Sequence, residues 1–212
     1  FLYLLGDIAF LPIDVLIVTL ILDRLLSFKE KRSIIHKLNM VIGAFFSEVG
    51  RQLLSSLSGF DTDAEALRKH LLIKKDWHVK EFSLAIRKLE HAKYALVSTR
   101  GNLPELKEFL LKKREFLLRL LENPNLMEHE LFTNLLWAVF HLTEELLARH
   151  KLAGLPQADY EHLSGDMQRA YKLLVLEWMR YMSHLHADYP YLFSLAIRTN
   201  PFDPQASVEI KG

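Results

Sequence analysis

The sequence contains no cysteine among its 212 residues. Disulfides, zinc–thiolate sites and thiol nucleophiles are therefore excluded, and the absence fits a reducing compartment. Glycine is sparse, with eight residues scattered singly. There is no Gly-rich phosphate-binding loop and no Gly-x-Ser-x-Gly elbow, so nucleophilic catalysis has no support. No run alternates apolar and polar residues between turn pairs, which leaves no signal for a strand. The net charge is only +1, which gives no global attraction to nucleic acid or anionic lipid. No internal repeat and no low-complexity segment is present.

A more local absence is the most informative. Residues 1–22 contain no Lys or Arg, and Asp23-Arg24 follows at once, then Lys29, Lys31, Arg32 and Lys37. An apolar block of that length before a basic cluster predicts a membrane-spanning helix and its cytoplasmic flank. Two topologies fit. Residues 1–22 form one span, or residues 1–5 end a preceding span, Gly6-Asp7 turns, and residues 8–26 return. The second is preferred because Gly-Asp is turn chemistry, and 19 residues at ~1.5 Å each reach about 28 Å, close to a bilayer core. The chain starts at Phe1 without a charged n-region, so a preceding span is expected. A third reading, a buried helix of a soluble bundle, also fits a continuous apolar run, and Leu11-Pro12 and Asp14 favour it.

Beyond residue 26 the apolar residues recur at helical spacing. Ile35, Leu38, Ile42, Phe45, Val49 and Leu53 stripe a helix over about 28–57. Gly43 and Gly50 lie on nearly one face of it, where a neighbouring backbone could approach. Ser58-Gly59 stops that helix, and Asp61-Thr62-Asp63 is a capping cluster for the next. Further helices are predicted over 63–73 and 76–97, then from Pro104 to about 121, over 127–150, and over 158–187 with a possible interruption at Gly165. Residues 171–182 are apolar over most of the helical circumference, which suggests the centre of a bundle. Residues 199–212, with Pro201 and Pro204, read as an extended tail.

Candidate functional residues are few. Asp7 and Asp14 are the intramembrane polar candidates. A charge in hydrocarbon costs about 2.5–3.5 kcal/mol, so such a group faces water or a partner. Arg24, Lys29, Lys31, Arg32 and Lys37 orient the helix or meet lipid headgroups. Lys74-Lys75 and Lys112-Lys113-Arg114 read as solvated helix faces, without the interleaved aromatics that single-strand binding needs. No metal site is expected. His141, Glu145 and His162 come nearest to one, within a set that also holds Glu144, His150, Asp159, His184 and His186. Di-iron bundles place Glu-x-x-His pairs on two helices, and only Asp159-x-x-His162 has that register. His141 and Glu145 read as part of a solvated polar face.

The segment Phe116-Leu-Leu-Arg-Leu-Leu-Glu-Asn-Pro-Asn-Leu-Met-Glu-His-Glu130, with Leu135-Leu-Trp-Ala-Val-Phe-His-Leu-Thr-Glu-Glu145, Phe10-Leu-Pro-Ile-Asp14 and Val18-Thr-Leu, resembles a family of uncharacterised prokaryotic membrane-anchored proteins. The resemblance covers most of the chain. It implies an N-terminal transmembrane hairpin and a cytoplasmic helical domain, and it carries no activity or site residues.

The expectation is an all-α protein: a transmembrane segment at 1–26, a cytoplasmic bundle of five or six helices at 27–198, and a tail at 199–212. It is expected in the cell (inner) membrane with the region after Arg24 cytoplasmic, binding membrane lipid and other protein subunits or itself, with no nucleic acid and no cofactor. The expected role is a membrane-tethered scaffold, sensor or regulatory subunit. The alternatives are a channel or transporter component using Asp7 and Asp14, and a helical metal-binding enzyme.

Overall fold

The computed structural model describes the backbone over residues 2–209 and the side chains from Val15 onward, apart from those of Lys31, Arg32, Ile34, His36, Met127 and residues 210–212. Every regular element among the described residues is helical. Helix α1 runs over Leu2–Phe45, and a π-helical turn over Phe46–Gly50 joins it to α2, Arg51–Ser58. Then come α3 (Ala64–Leu71), α4 (Val79–Glu90), α5 (Leu103–Leu121), a 3-10 turn (Pro124–Glu128), α6 (Glu130–Ala148), α7 (Gln157–Asp188) and α8 (Pro190–Arg198). The chain is all-α as expected, with eight α-helices among the described residues where an opening segment and a bundle of five or six helices were foreseen. An isolated antiparallel bridge pairs Asp61 with Leu96.

The punctuation works through hydrogen bonds. Asn102 caps α5 by accepting from the Glu105 amide at 3.1 Å, with Pro104 in the first turn. There the missing proline N–H leaves no bond unmade. Asn123 accepts from Asn125 N at 3.0 Å to start the 3-10 turn. Between α6 and α7 the chain reverses at Gly154, whose φ of 74° favours glycine. Tyr160 closes that loop, its hydroxyl donating to Leu152 O at 3.0 Å and accepting from Gly154 N at 3.1 Å.

Helix α7 is the hub, packing against α1, α2, α4, α6 and α8. Tyr171, Leu174, Val175, Trp178, Met179 and Met182 are all fully buried, so the wrap-around apolarity of 171–182 has the central place it predicts. Phe46 from the π-turn seats its ring 5.2 Å from Trp178 and stacks on Tyr181 at 5.1 Å.

Several expectations are corrected. The helix runs unbroken through Gly6-Asp7 and Pro12, where a turn was preferred. Glycine costs a helix only about 1 kcal/mol, which a long element tolerates. The stripe read over 28–57 is the far part of the same rod, a continuation that the sequence reading expected, interrupted only by its π-turn. Helix α7 passes Gly165 without interruption, with open space where a Cβ would lie. Helix α4 ends at Glu90 instead of reaching 97, because Tyr94 turns into the core and donates its hydroxyl to Leu89 O at 2.9 Å. The described part of the final segment, 199–209, has no helix, but its start is docked. Asn200 donates to Leu71 O at 2.8 Å, accepts from Phe202 N at 3.1 Å, and Phe202 is buried.

Among the described residues no helix is long and apolar enough to cross a membrane. Asp7 and Asp14 lie outside the described side chains, as do Lys31 and Arg32, whereas Arg24, Lys29 and Lys37 are exposed. Residues 15–30 are exposed without exception, and the first buried side chain of α1 among the described residues is Leu38. That described length of helix is therefore not enclosed by the rest of its own chain.

Candidate functional site

The densest polar constellation lies where the second half of α6 meets the first half of α7. His141 and Glu145 are four apart on α6, and His162 and Asp166 are four apart on α7, so each pair shares a helix face. The helices run antiparallel, and their pairings step forward along α6 as they step backward along α7. His141 Nε2 lies 3.5 Å from Asp166 Oδ2, His162 Nε2 lies 3.5 Å from Glu145 Oε2, and Arg149 forks onto Asp159 at 2.6 and 3.0 Å.

The centre of this cluster is Asp166, which is 3% exposed. Its Oδ1 accepts from Arg169 at 2.9 Å, while its buried Oδ2 has no hydrogen-bond partner. That oxygen lies 3.3 Å from His162 Nε2 and 3.5 Å from His141 Nε2. Glu145 divides its oxygens between the two imidazoles. Its Oε2 accepts from Arg149 at 2.7 Å, and its Oε1 faces His141 Nε2 at 3.8 Å. The Arg149 hydrogen bond holds the Glu145 carboxyl below its usual range, and the same guanidinium depresses Asp159. Burial alone would have driven both the other way. One donor atom from each of His141, Glu145, His162 and Asp166 fits within a sphere of contacts no wider than 4.8 Å. Two imidazoles and two carboxylates at that spacing can hold a divalent ion. The imidazoles are about half exposed, so the cluster opens to solvent on one side.

The other sequence candidates are placed apart. Glu144 pairs with Arg114 at 2.7 Å. His184 binds Asp188 at 2.8 Å and approaches Asn39, whereas His186 packs between Phe82 and Phe193. Their separation follows from their spacing of two. The basic run of α5 is spent on carboxylates, Lys112 on Glu108 at 2.7 Å and Lys113 on Glu48 at 3.0 Å. The sequence reading named His141, Glu145 and His162 and missed Asp166. The signal was present as two consecutive helices each carrying a histidine followed four residues later by an acid. Attention to the three-residue Glu-x-x-His register passed over it.

A second buried polar group lies further along α7. Glu177 is 1% exposed, and burial pushes its carboxyl up to about 7. His129 stands 3.7 Å away, its own imidazole shifted down by burial while its Nδ1 caps α6 at Phe132 N.

Residues 34–198 match the family model described as "Uncharacterized protein MJ1433, C-terminal helical domain", and residues 1–26 match "MJ1433, N-terminal helical domain". The chain is 44% identical over 206 residues to "Uncharacterized protein MJ1433" of Methanocaldococcus jannaschii, an alignment covering 97% of this chain and 83% of that protein. No solved structure matches. With one helical match on the opening segment and another on the bundle that holds the four-residue cluster, the chain belongs to the MJ1433 family.

Proposed function

We propose that this protein is a membrane-tethered helical scaffold, sensor or regulatory subunit, with the first part of α1 in lipid and the bundle in water. One observation carries the reading: apolar side chains from Val15 to Leu26 are exposed on every side of a helix that continues without a break into the core. Val15, Leu16, Ile17 and Val18 are each about half exposed, and successive residues 100° apart cover the whole circumference. A helix docking on one partner needs a single apolar stripe, whereas one that is apolar all round suits a bilayer. The described residues 15–26 account for about 18 Å, and the helical backbone from Leu2 to Leu22 for about 31 Å, against a hydrocarbon core of about 30 Å. The exposed Arg24, Lys29 and Lys37 follow where a cytoplasmic flank belongs. The two family matches part between residues 26 and 34, on this same flank.

Continuity supports a signalling or positioning role. Any tilt or rotation of the lipid-facing half is passed along one rod to the π-turn, where Phe46 touches Trp178 of α7. The test is carbonate extraction of membranes from cells expressing the full chain. The protein is expected to stay with the pellet, and the paired change Leu16→Glu with Leu20→Lys is expected to move it to the supernatant. Release of the unaltered chain by carbonate overturns the tether. The scaffold role is checked by the native mass of the detergent-solubilised complex, which should exceed that of one chain.

A further inference from the structure

We propose that His141, Glu145, His162 and Asp166 form a mononuclear site for a divalent first-row transition ion, zinc by its geometry, that staples α6 to α7. The proposal stands independently of the membrane reading. Zinc binds imidazole nitrogen and carboxylate oxygen at about 2.0–2.2 Å, so neighbouring donors of a tetrahedral site lie about 3.4 Å apart. Asp166 Oδ2 lies 3.3 and 3.5 Å from the two imidazole Nε2 atoms, and Glu145 reaches His162 Nε2 with Oε2 at 3.5 Å and His141 Nε2 with Oε1 at 3.8 Å. Those separations are longer than hydrogen bonds of normal length and close to such an edge, and one donor atom from each of the four residues lies within 4.8 Å of the others.

The protein holds these donors in a way that ion pairing alone does not require. Asp166 is almost wholly buried, yet Oδ2 is left without a hydrogen bond and points at both imidazoles. An orphaned carboxylate oxygen in that setting costs the fold free energy, and a cation bound there would remove the cost. Each carboxylate is also held by an arginine, Asp166 through the oxygen turned away from the imidazoles and Glu145 through the oxygen that also faces His162. Arg169 takes Asp166 Oδ1, and Arg149 takes Glu145 Oε2 while gripping Asp159. Such outer partners aim metal ligands and fix their orientation. Three carboxylates against two arginines leave the pocket with a surplus negative charge that a dication would meet.

The donor set decides the class of ion. Two imidazoles disfavour magnesium and calcium, which prefer oxygen, and suit zinc and its first-row neighbours. Four protein donors complete a tetrahedron and leave no open position, so the ion's role is structural: it joins the end of α6 to the start of α7 across the loop turned by Gly154.

The experiment uses the full chain in detergent, stripped with a chelator, then titrated with Zn²⁺ by calorimetry and with Co²⁺ by visible absorption. One ion per chain is expected, with the intense absorption of tetrahedral Co²⁺, displacement by Zn²⁺, no displacement by excess Mg²⁺, and a raised Tm when loaded. His162→Ala removes a half-exposed side chain, so the fold is not at risk. It should weaken binding by more than the 10–100-fold, roughly, that loss of an outer partner costs. His141→Ala should do the same, whereas His91→Ala and His150→Ala, exposed and elsewhere, should bind as the unaltered chain does. A folded chain, checked by circular dichroism, that takes up no Zn²⁺ overturns the proposal and leaves an ion-pair cluster. So does binding that survives His141→Ala and His162→Ala unchanged.

Discussion

Glu177 shows what burial does to one acid. Its carboxyl is pushed up to about 7 by burial, against the opposing charge of Arg180 on its own helix, while His129 of the turn before α6 stands 3.7 Å away. The unfolded chain ionises this group near its ordinary value, so between about pH 4.5 and 7 the folded form binds the extra proton. Stability from this group is therefore fully present below pH 4.5 and is lost as pH rises toward 7. A shift of that size corresponds to about 3 kcal/mol. Glu177→Gln keeps the shape and cannot ionise. Denaturant unfolding should show the variant gaining up to about 3 kcal/mol on the parent at pH 8 and almost nothing at pH 4. An equal difference at both values would mean that ionisation is not the cause.

The long first helix depends on one irregular element. The π-turn Phe46–Gly50 inserts a wider turn that rotates Phe46 toward α7. Gly50 makes this possible, because a Cβ there would strike the Phe46 ring and touch Phe45 Cε1 at 3.0 Å. Gly43, seven residues earlier, faces Tyr181, whose hydroxyl would lie 3.2 Å from an added Cβ. The sequence reading expected both glycines to admit a neighbouring backbone; they admit aromatic rings. Gly50→Ala should destabilise the protein by about 1–3 kcal/mol, the usual cost of overpacking, although alanine is the better helix former. Thermal or urea melts would read this directly. Gly165→Ala, with open space around it, should be neutral or stabilising in the same assay, and a matching loss there would sink the packing argument.

At the scale of the whole molecule, the bundle is organised around one helix. Helix α7 touches five other helices, and its fully buried Leu174 sits among them. Leu174→Ala should therefore cost about 2–5 kcal/mol, a large share of the 5–15 kcal/mol that domains of this kind typically hold. A loss under 1 kcal/mol by denaturant titration would show that the hub relaxes around a void. The same centrality gives the four-residue cluster its leverage, since an ion between α6 and α7 would clamp the hub to one neighbour.

The amino-acid order alone determined the helical class and most helix positions, because an apolar repeat of 3.6 residues, proline in first turns and asparagine caps act within a few residues of themselves. It also pointed to the centrality of 171–182, since a helix apolar over most of its circumference has to be covered by neighbours. What only tertiary structure decided is which distant groups meet. His141 and Glu145 sit on a face that periodicity assigns to water, and only the docking of α7 brings His162 and the buried Asp166 against them. The tail likewise reads as unanchored until Asn200 finds the carbonyl of Leu71, far away in sequence. Local rules see a residue's own turn of helix; convergence depends on crossing and register between helices, which no single segment encodes.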